Sequence, residues 1–363
     1  APPWWGCRMK GAGLAEELRD WPRRAPPSSS WEERVAAEGA WPRVSLVTPS
    51  FYQGQFLEDT ILSVLNQGYP DLEYMVIDGG STDGSPEVIR RYADRLAYWE
   101  STPDRGQSHA INKGWRRATG KYLWWLNSDD LLMPDSLASA VRHLEANPAE
   151  DLIYGDLLSI DEAGQPLGAW SLRDFDFADF MTNDGHVAQP GGLVRREAVE
   201  RIGYLDEGLH YLMDWDFWTR LALSGGRLMH LPQTLAMYRV YDEAKTGAGS
   251  PEAVQERYLL NERLFADPNL PGELRAKEAR VTSGMHLTCA RTYLLCGDYR
   301  QAVLEAGWSV RSWPIQLANP FLWYHGVLGV LGVVVGHRAW RWLRSGLRRL
   351  RGALRPDGGG EQA

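Results

Sequence analysis

The residues of this chain that could carry chemistry are mostly carboxylates gathered at loop positions. Asn127-Ser128-Asp129-Asp130 follows the apolar run Tyr122-Leu123-Trp124-Trp125-Leu126, and Pro134 blocks a simple continuation. Asp78, Asp83, Asp104 and Arg105 lie in polar stretches upstream, and Asp214-Trp215-Asp216 arrives later. A cluster dominated by carboxylate oxygens suits a hard cation, Mg2+ or Mn2+, which bridges protein carboxylates to diphosphate oxygens. No Gly-x4-Gly-Lys-Ser/Thr phosphate loop is present, and Gly11-Ala12-Gly13 follows no strand, so kinase and dehydrogenase chemistry lose their main support. The favoured substrate is a nucleotide diphosphate whose leaving group is the diphosphate.

The elements that must position these residues alternate. Val44 to Thr48 reads as a strand broken at Pro49, and Leu57, Ile61, Val64 and Leu65 recur at helical spacing. Glu73 to Ile77 gives a second strand with Asp78 at its tip, and a helix over 85–93 leads to a short strand over 96–100. A helix through Ala110, Ile111 and Trp115 ends before Gly120, where the Trp124 strand begins. Asp135 can cap the next helix; short strands are expected over 152–154 and 235–240, and helices over 195–202 and 215–223. This rhythm implies an α/β domain with a mostly parallel sheet flanked by helices, its polar loops converging on one crevice at the strands' carboxyl ends.

With 363 residues, 44% of them hydrophobic, the chain has room for one large α/β domain and a smaller appendage. A net charge of −8 argues against general nucleic-acid binding. Three cysteines make no disulfide framework, and Cys289 and Cys296 share a helical face, which suits a reducing compartment. Nothing near Ala1 has the form of a secretory signal, so a cytoplasmic protein is expected. Residues 1–42, rich in Pro, Ser and isolated Trp, read as an irregular arm that clips onto the domain of 43–250. A helical extension follows over 251–335, in which 321–335 is too short and too interrupted by Gly for a membrane span. In the tail of 336–363, Trp340, Leu343 and Leu347 form an apolar stripe beside Arg341, Arg344 and Arg348, which suits a helix lying on an anionic membrane surface; a helix packed on protein is the alternative.

Four ordered motifs carry a family resemblance: Val44 to Phe51, Val76-Ile77-Asp78-Gly79-Gly80-Ser81-Thr82-Asp83-Gly84, Pro103-Asp104-Arg105-Gly106-Gln107 and Trp125 to Asp130. From about Arg43 to Lys245 the chain resembles glycosyltransferase family 2, the inverting, sugar-nucleotide-dependent enzymes of GT-A fold. The resemblance implies that Thr48, Pro49 and Ser50 line the nucleotide pocket, that Asp78 accepts a hydrogen bond from the base, and that Asp104 and Arg105 stand near base and diphosphate. Asn127-Ser128-Asp129 corresponds to the DxD motif, with Asp129 the ligand of Mg2+ or Mn2+ and Asp130 close to the donor sugar. Asp214 is the expected catalytic base, a role compatible with capping its helix, and Gln189-Pro190-Gly191-Gly192 is expected to wall the acceptor pocket. The partners implied are a nucleoside-diphosphate sugar and a saccharide or lipid-linked saccharide acceptor.

Two positions depart from the family pattern. Gly79 stands where a second acid is common, and Tyr241 follows Tyr238-Arg239 where a His is common, leaving His186, His210 and His230 as substitutes. Asp83 reads equally as a loop cap or as a functional group. A silent sugar-nucleotide-binding scaffold of the same fold and a nucleotidyltransferase are the competing functions; the intact Asp129, Asp130 and Asp214 oppose the first, and the missing triphosphate loop opposes the second.

Overall fold

The computed structural model describes residues 21–23, 40–181, 187–241, 244–245, 250–268, 270–318, 322–323, 327–328 and 330. Most of the N-terminal arm, His186 and the basic tail therefore lie outside the described residues. The chain divides into two compact units, 1–247 and 248–363.

The first unit is built on a nine-stranded sheet. β1 (Val44–Ser50), β2 (Leu72–Asp78), β3 (Tyr98–Ser101) and β4 (Tyr122–Trp125) lie side by side in the order β3-β2-β1-β4, all parallel. Three helices connect them: α1 (Gly54–Leu65), α2 (Ser85–Arg91) and α3 (Gln107–Arg117). The chain then turns at 127–130 into β5 (Leu131–Leu132), α4 (Ser136–Ala146), β6 (Leu152–Ile160), β7 (Pro166–Trp170), α5 (Phe177–Met181), β8 (Gly192–Arg195), α6 (Arg196–Ile202), α7 (Met213–Leu223) and β9 (Leu228–Arg239). β6 and β9 run in the direction of the first four strands, whereas β5, β7 and β8 run against them. The loops after β1, β2, β3 and β4, and the chain leaving β9, therefore emerge at one edge of the sheet.

Three local expectations are corrected. β1 continues through Pro49 to Ser50, paired with Ile77 and Asp78 of β2. Its pairing with β4 ends at Val47 and Trp125, so Pro49 lies on a locally open edge where a missing N–H costs no ladder bond. Asp135 adopts a left-handed conformation (φ 65°) and makes no side-chain cap to α4. β6 and β9 are far longer than their apolar cores suggest, because each lends the other a parallel partner from Leu152↔Leu228 to Ile160↔Arg239.

Strand alternation sorts the tryptophans of β4. Trp124 joins the main core with Val44, Leu46, Leu57, Ile61 and Leu137. Trp125 faces the opposite layer, stacked on Trp218 at 5.4 Å and edge-on to Trp115 at 5.3 Å, which fastens α7 and α3 beneath the same strand. Loss of a fully buried Trp of this kind costs about 3–5 kcal/mol.

Of the arm, Trp21 donates its indole N–H to Leu132 O at 2.8 Å, and Pro22 O accepts from Asn66 Nδ2 at 2.7 Å. The second unit contains α8 (Pro251–Ala266), α9 (Gly272–Arg275), α10 (Glu278–Cys296) and α11 (Tyr299–Ser312). Gly297 (φ 80°) ends α10, and Asp298 caps α11 by accepting from Gln301 N, forming a helical hairpin within the expected helical extension. Among the described residues no helix is long and apolar enough to cross a membrane.

Candidate active site

The tip of β4 is the centre of the site. The chain leaves Trp125, turns at 127–130 and returns as β5, which pairs with Ala236 and Met237 of β9. β9 consequently delivers Arg239 and Tyr241 alongside the turn. Tyr241 donates its hydroxyl to Asp129 Oδ2 at 2.8 Å, and Gln53 Nε2 donates to the Tyr241 oxygen at 2.9 Å. Arg239 Nε donates to Asp129 O at 2.9 Å, its Nη1 reaches Asp161 O and Glu162 O, and its guanidinium lies over the Phe56 ring at 4.6 Å. Thr60 in α1 sets its hydroxyl 2.8 Å from both Ser128 O and Asp130 O. Thr60 and Arg239 were not singled out from sequence, although Thr60 sits within the apolar stripe of α1, where a polar residue signals a buried partner.

The two adjacent carboxylates differ in role. Asp130 is buried, its Oδ1 accepting from Arg239 N at 3.0 Å and its Oδ2 from Asn127 Nδ2 at 3.4 Å. Burial, then the Asp129 charge, pushes Asp130 well above the usual carboxylate range. Asp130, expected close to the donor sugar, braces the turn from inside. Asp129 is only half-buried; burial raises its pKa while the Tyr241 hydrogen bond opposes that shift.

An amide chain extends from the turn. Gln107 Nε2 donates to Asn127 Oδ1 at 2.7 Å, Asn127 Nδ2 donates to Gln189 Oε1 at 2.8 Å, and Gln189 Nε2 donates to Trp125 O at 3.1 Å. Lys245 Nζ meets Gln107 Oε1 at 3.0 Å. The expected Gln189 to Gly192 wall thus abuts the Asn127 side of the site. Ser128 is buried and contributes its carbonyl to the Thr60 clamp.

The nucleotide-side residues are redistributed. Thr48 is fully buried with its hydroxyl 3.0 Å from Tyr74 Oη, so it packs inside. Pro49 and Ser50 are buried at the strand end. Asp78 is fully buried: Oδ2 accepts from Gly80 N, Ser81 N and Ser101 Oγ, and Oδ1 from Ser81 Oγ. It staples the loop after β2 from a fully buried position. Asp83 likewise accepts from Gly54 N, Ser85 N and Ser85 Oγ, which makes it a loop cap.

Gly79 shows what replaces the second acid. A Cβ there would lie 2.9 Å from Phe51 Cδ2 and 3.1 Å from Asp104 Oδ2, so the Asp104 carboxylate fills space that a side chain on residue 79 would need. Asp104 Oδ1 accepts from Gly106 N at 2.8 Å, and Phe51 is 61% exposed. Arg105 is committed to an ion pair with Glu207.

On the acceptor side, Asp216 is buried and bonded to Arg220 at 2.7 Å, whereas Asp214 is half-buried in the first turn of α7 with Oδ1 accepting from Trp215 N at 2.8 Å. Asp214 is four residues before Trp218, hence on the helix face that stacks against Trp125 below the β4 tip.

The donor set can be tested against a cation. Among the described residues no group of three or more His, Cys, Asp or Glu side chains could hold a metal. His230 is paired with Asp156 at 2.8 Å, and His210 lies against Gly106. At the β4 tip the half-buried carboxylate is Asp129, with Tyr241 on a single oxygen. That set fits a hard cation held by one carboxylate plus substrate phosphates, the usual arrangement for Mg2+, and not a preformed protein cage.

The model of the family described as glycosyl transferase family 2 matches residues 45–203. An uncharacterized glycosyltransferase of Mycobacterium tuberculosis is 31% identical over 188 residues, spanning 50% of this chain and 70% of that protein. The chain belongs to glycosyltransferase family 2. An O-antigen biosynthesis protein of Myxococcus xanthus is 26% identical over 224 residues, 60% of this chain but only 17% of that longer protein. The GT-A fold is shared with Staphylococcus aureus TarS 1–349 (TM-score 0.56, 16% identity, 81% of this chain and 92% of that one). It is also shared with a mannosyltransferase of Pyrobaculum calidifontis solved with GDP-mannose and Mn2+ (TM-score 0.52, 20% identity, 88% and 98%). As a family 2 member, this chain is a glycosyltransferase enzyme.

Proposed function

We propose that this family 2 enzyme is metal-dependent and inverting, and that it moves a sugar from a nucleoside-diphosphate sugar to a hydroxyl of a saccharide or lipid-linked saccharide in surface polysaccharide or glycolipid assembly. The observation that carries the reading is Asp129, held at the β4 tip by Tyr241 with one carboxylate oxygen taken by no other described side chain. The relative named for O-antigen biosynthesis and the fold neighbour solved with GDP-mannose and Mn2+ support the polymer context and the donor class.

Asp129 would hold Mg2+ or Mn2+, which when bound neutralises charge on the departing diphosphate. Asp214 takes the proton of the acceptor hydroxyl as its oxygen attacks the anomeric carbon; the bond from that carbon to the diphosphate oxygen breaks, its electron pair leaves with the diphosphate, and the configuration inverts. Asp104 accepts from the N–H edge of the base beside the Phe51 ring, being half-buried where Asp78 is fully buried. The amide chain through Gln107, Asn127 and Gln189 orients the turn that carries Asp129.

The test is release of free nucleoside diphosphate from a panel of sugar nucleotides with Mn2+ present. Asp129→Ala and Asp214→Asn are each expected to lower turnover at least about a hundredfold. Unchanged release in Asp129→Ala would overturn the metal assignment, and pyrophosphate release from a nucleoside triphosphate would replace the transferase reading with a nucleotidyltransferase.

A further inference from the structure

One face of α3 ties the donor half of the site to the acceptor half. Asn112 is fully buried, and its carboxamide engages both backbone groups of Leu205: Oδ1 accepts from Leu205 N at 3.1 Å and Nδ2 donates to Leu205 O at 2.9 Å. The same Nδ2 donates to Glu207 Oε1 at 3.1 Å. One turn earlier, on the same face, buried Ser108 donates to Leu209 O at 3.1 Å and lies 2.8 Å from Met213 Sδ. At the start of the helix, Gln107 bonds Asn127. Leu205 and Leu209 belong to no strand or helix, so side chains do for this segment what a neighbouring strand would do.

We infer that Asn112, assisted by Ser108, is a positioning residue for the acceptor side: it fixes the path of residues 205–209 into α7 and so sets where Asp214 stands relative to a donor held at Asp129. The inference rests on Asp214 being the base. A carboxamide suits the task because it offers one acceptor and one donor edge; an aspartate would set a second acceptor against Leu205 O and Glu207.

The experiment is a double-mutant cycle in the full chain, read as hydrolysis of the sugar nucleotide that the wild type turns over fastest. Asn112→Ala is expected to slow hydrolysis by about tenfold or more while UDP and GDP affinities stay within about twofold. Asp214→Asn should then add little to Asn112→Ala, because a misplaced base is already lost. Hydrogen exchange should quicken at amides of 204–212 and remain unchanged in β1. If Asn112→Ala fails to fold, Ser108→Ala, which removes one hydroxyl, carries the same cycle with a smaller effect. Multiplicative losses, or unchanged exchange over 204–212, overturn the inference. An Asp214→Asn variant at the wild-type rate overturns the base reading instead, and with it this role for Asn112.

Discussion

Tyr241 reaches across 112 positions of sequence to donate its hydroxyl to Asp129 Oδ2 at 2.8 Å. Burial, then the Asp129 charge, raises the Tyr241 pKa, so the hydroxyl keeps its proton and remains a donor. Partners of this kind orient a metal-binding carboxylate. Tyr241→Phe is therefore expected to weaken Mn2+ binding in the presence of UDP by roughly tenfold without unfolding the protein. Titration followed by the electron paramagnetic resonance of free Mn2+ checks this, and unaltered binding would remove Tyr241 from the site's support.

Thr60 holds the turn from below. Its hydroxyl serves the carbonyls of Ser128 and Asp130, both at 2.8 Å, inside the core. Thr60→Val keeps the shape and leaves these carbonyls short of a donor. The expected cost is about 1–3 kcal/mol in urea unfolding, with a parallel loss of turnover; a stability change near zero would contradict the clamp.

Gly79 is required for the space it leaves. Because its φ is not among the positive ones, substitution acts through contact alone, against Phe51 Cδ2 at 2.9 Å and Asp104 Oδ2 at 3.1 Å. Gly79→Ala is expected to displace both and weaken UDP or GDP binding by about tenfold with little change in melting temperature. Calorimetry decides, and wild-type affinity would separate Asp104 from the nucleotide.

Asp83 gives a pH-dependent effect on stability. Burial pushes its pKa up, but hydrogen bonds from the Ser85 hydroxyl and from Gly54 and Ser85 N–H outweigh this, and the net shift is down from 3.8. A lowered folded-state pKa means that its stabilisation is present above the unfolded value and lost as pH falls through the folded one. Asp83→Asn should thus destabilise by less than about 1 kcal/mol at pH 7, because solvent screens this exposed carboxylate, with the gap closing below pH 3.8. Thermal melts across that range would show a constant gap if the charge were irrelevant.

Much of the architecture is legible in the sequence because its signals are local. The run Tyr122 to Leu126 ending in Asp129 marks a buried strand with an acidic tip, and helical spacing of Leu57, Ile61, Val64 and Leu65 and of Ala110, Ile111 and Trp115 marks the intervening helices. From such signals the parallel half of the sheet, the loops at one edge and the family resemblance follow. Motif position implies nucleotide contacts for Thr48 and Asp78 and a sugar contact for Asp130; what it leaves out is their protein partners, Tyr74, Ser81 and Ser101, and Arg239.

The reason is that a carboxylate's availability depends on which donors reach it, and those donors come from elements distant in sequence. β5 pairs with β9, which brings Tyr241 to Asp129; α3 lies against the segment before α7, which brings Asn112 to Leu205. The sequence determined by itself that an acidic strand tip exists and which family it belongs to. Only the tertiary structure decided which acids are consumed in holding the turn and which, like Asp129, keep an oxygen that no described side chain occupies, because strand order and helix packing set hydrogen-bond satisfaction.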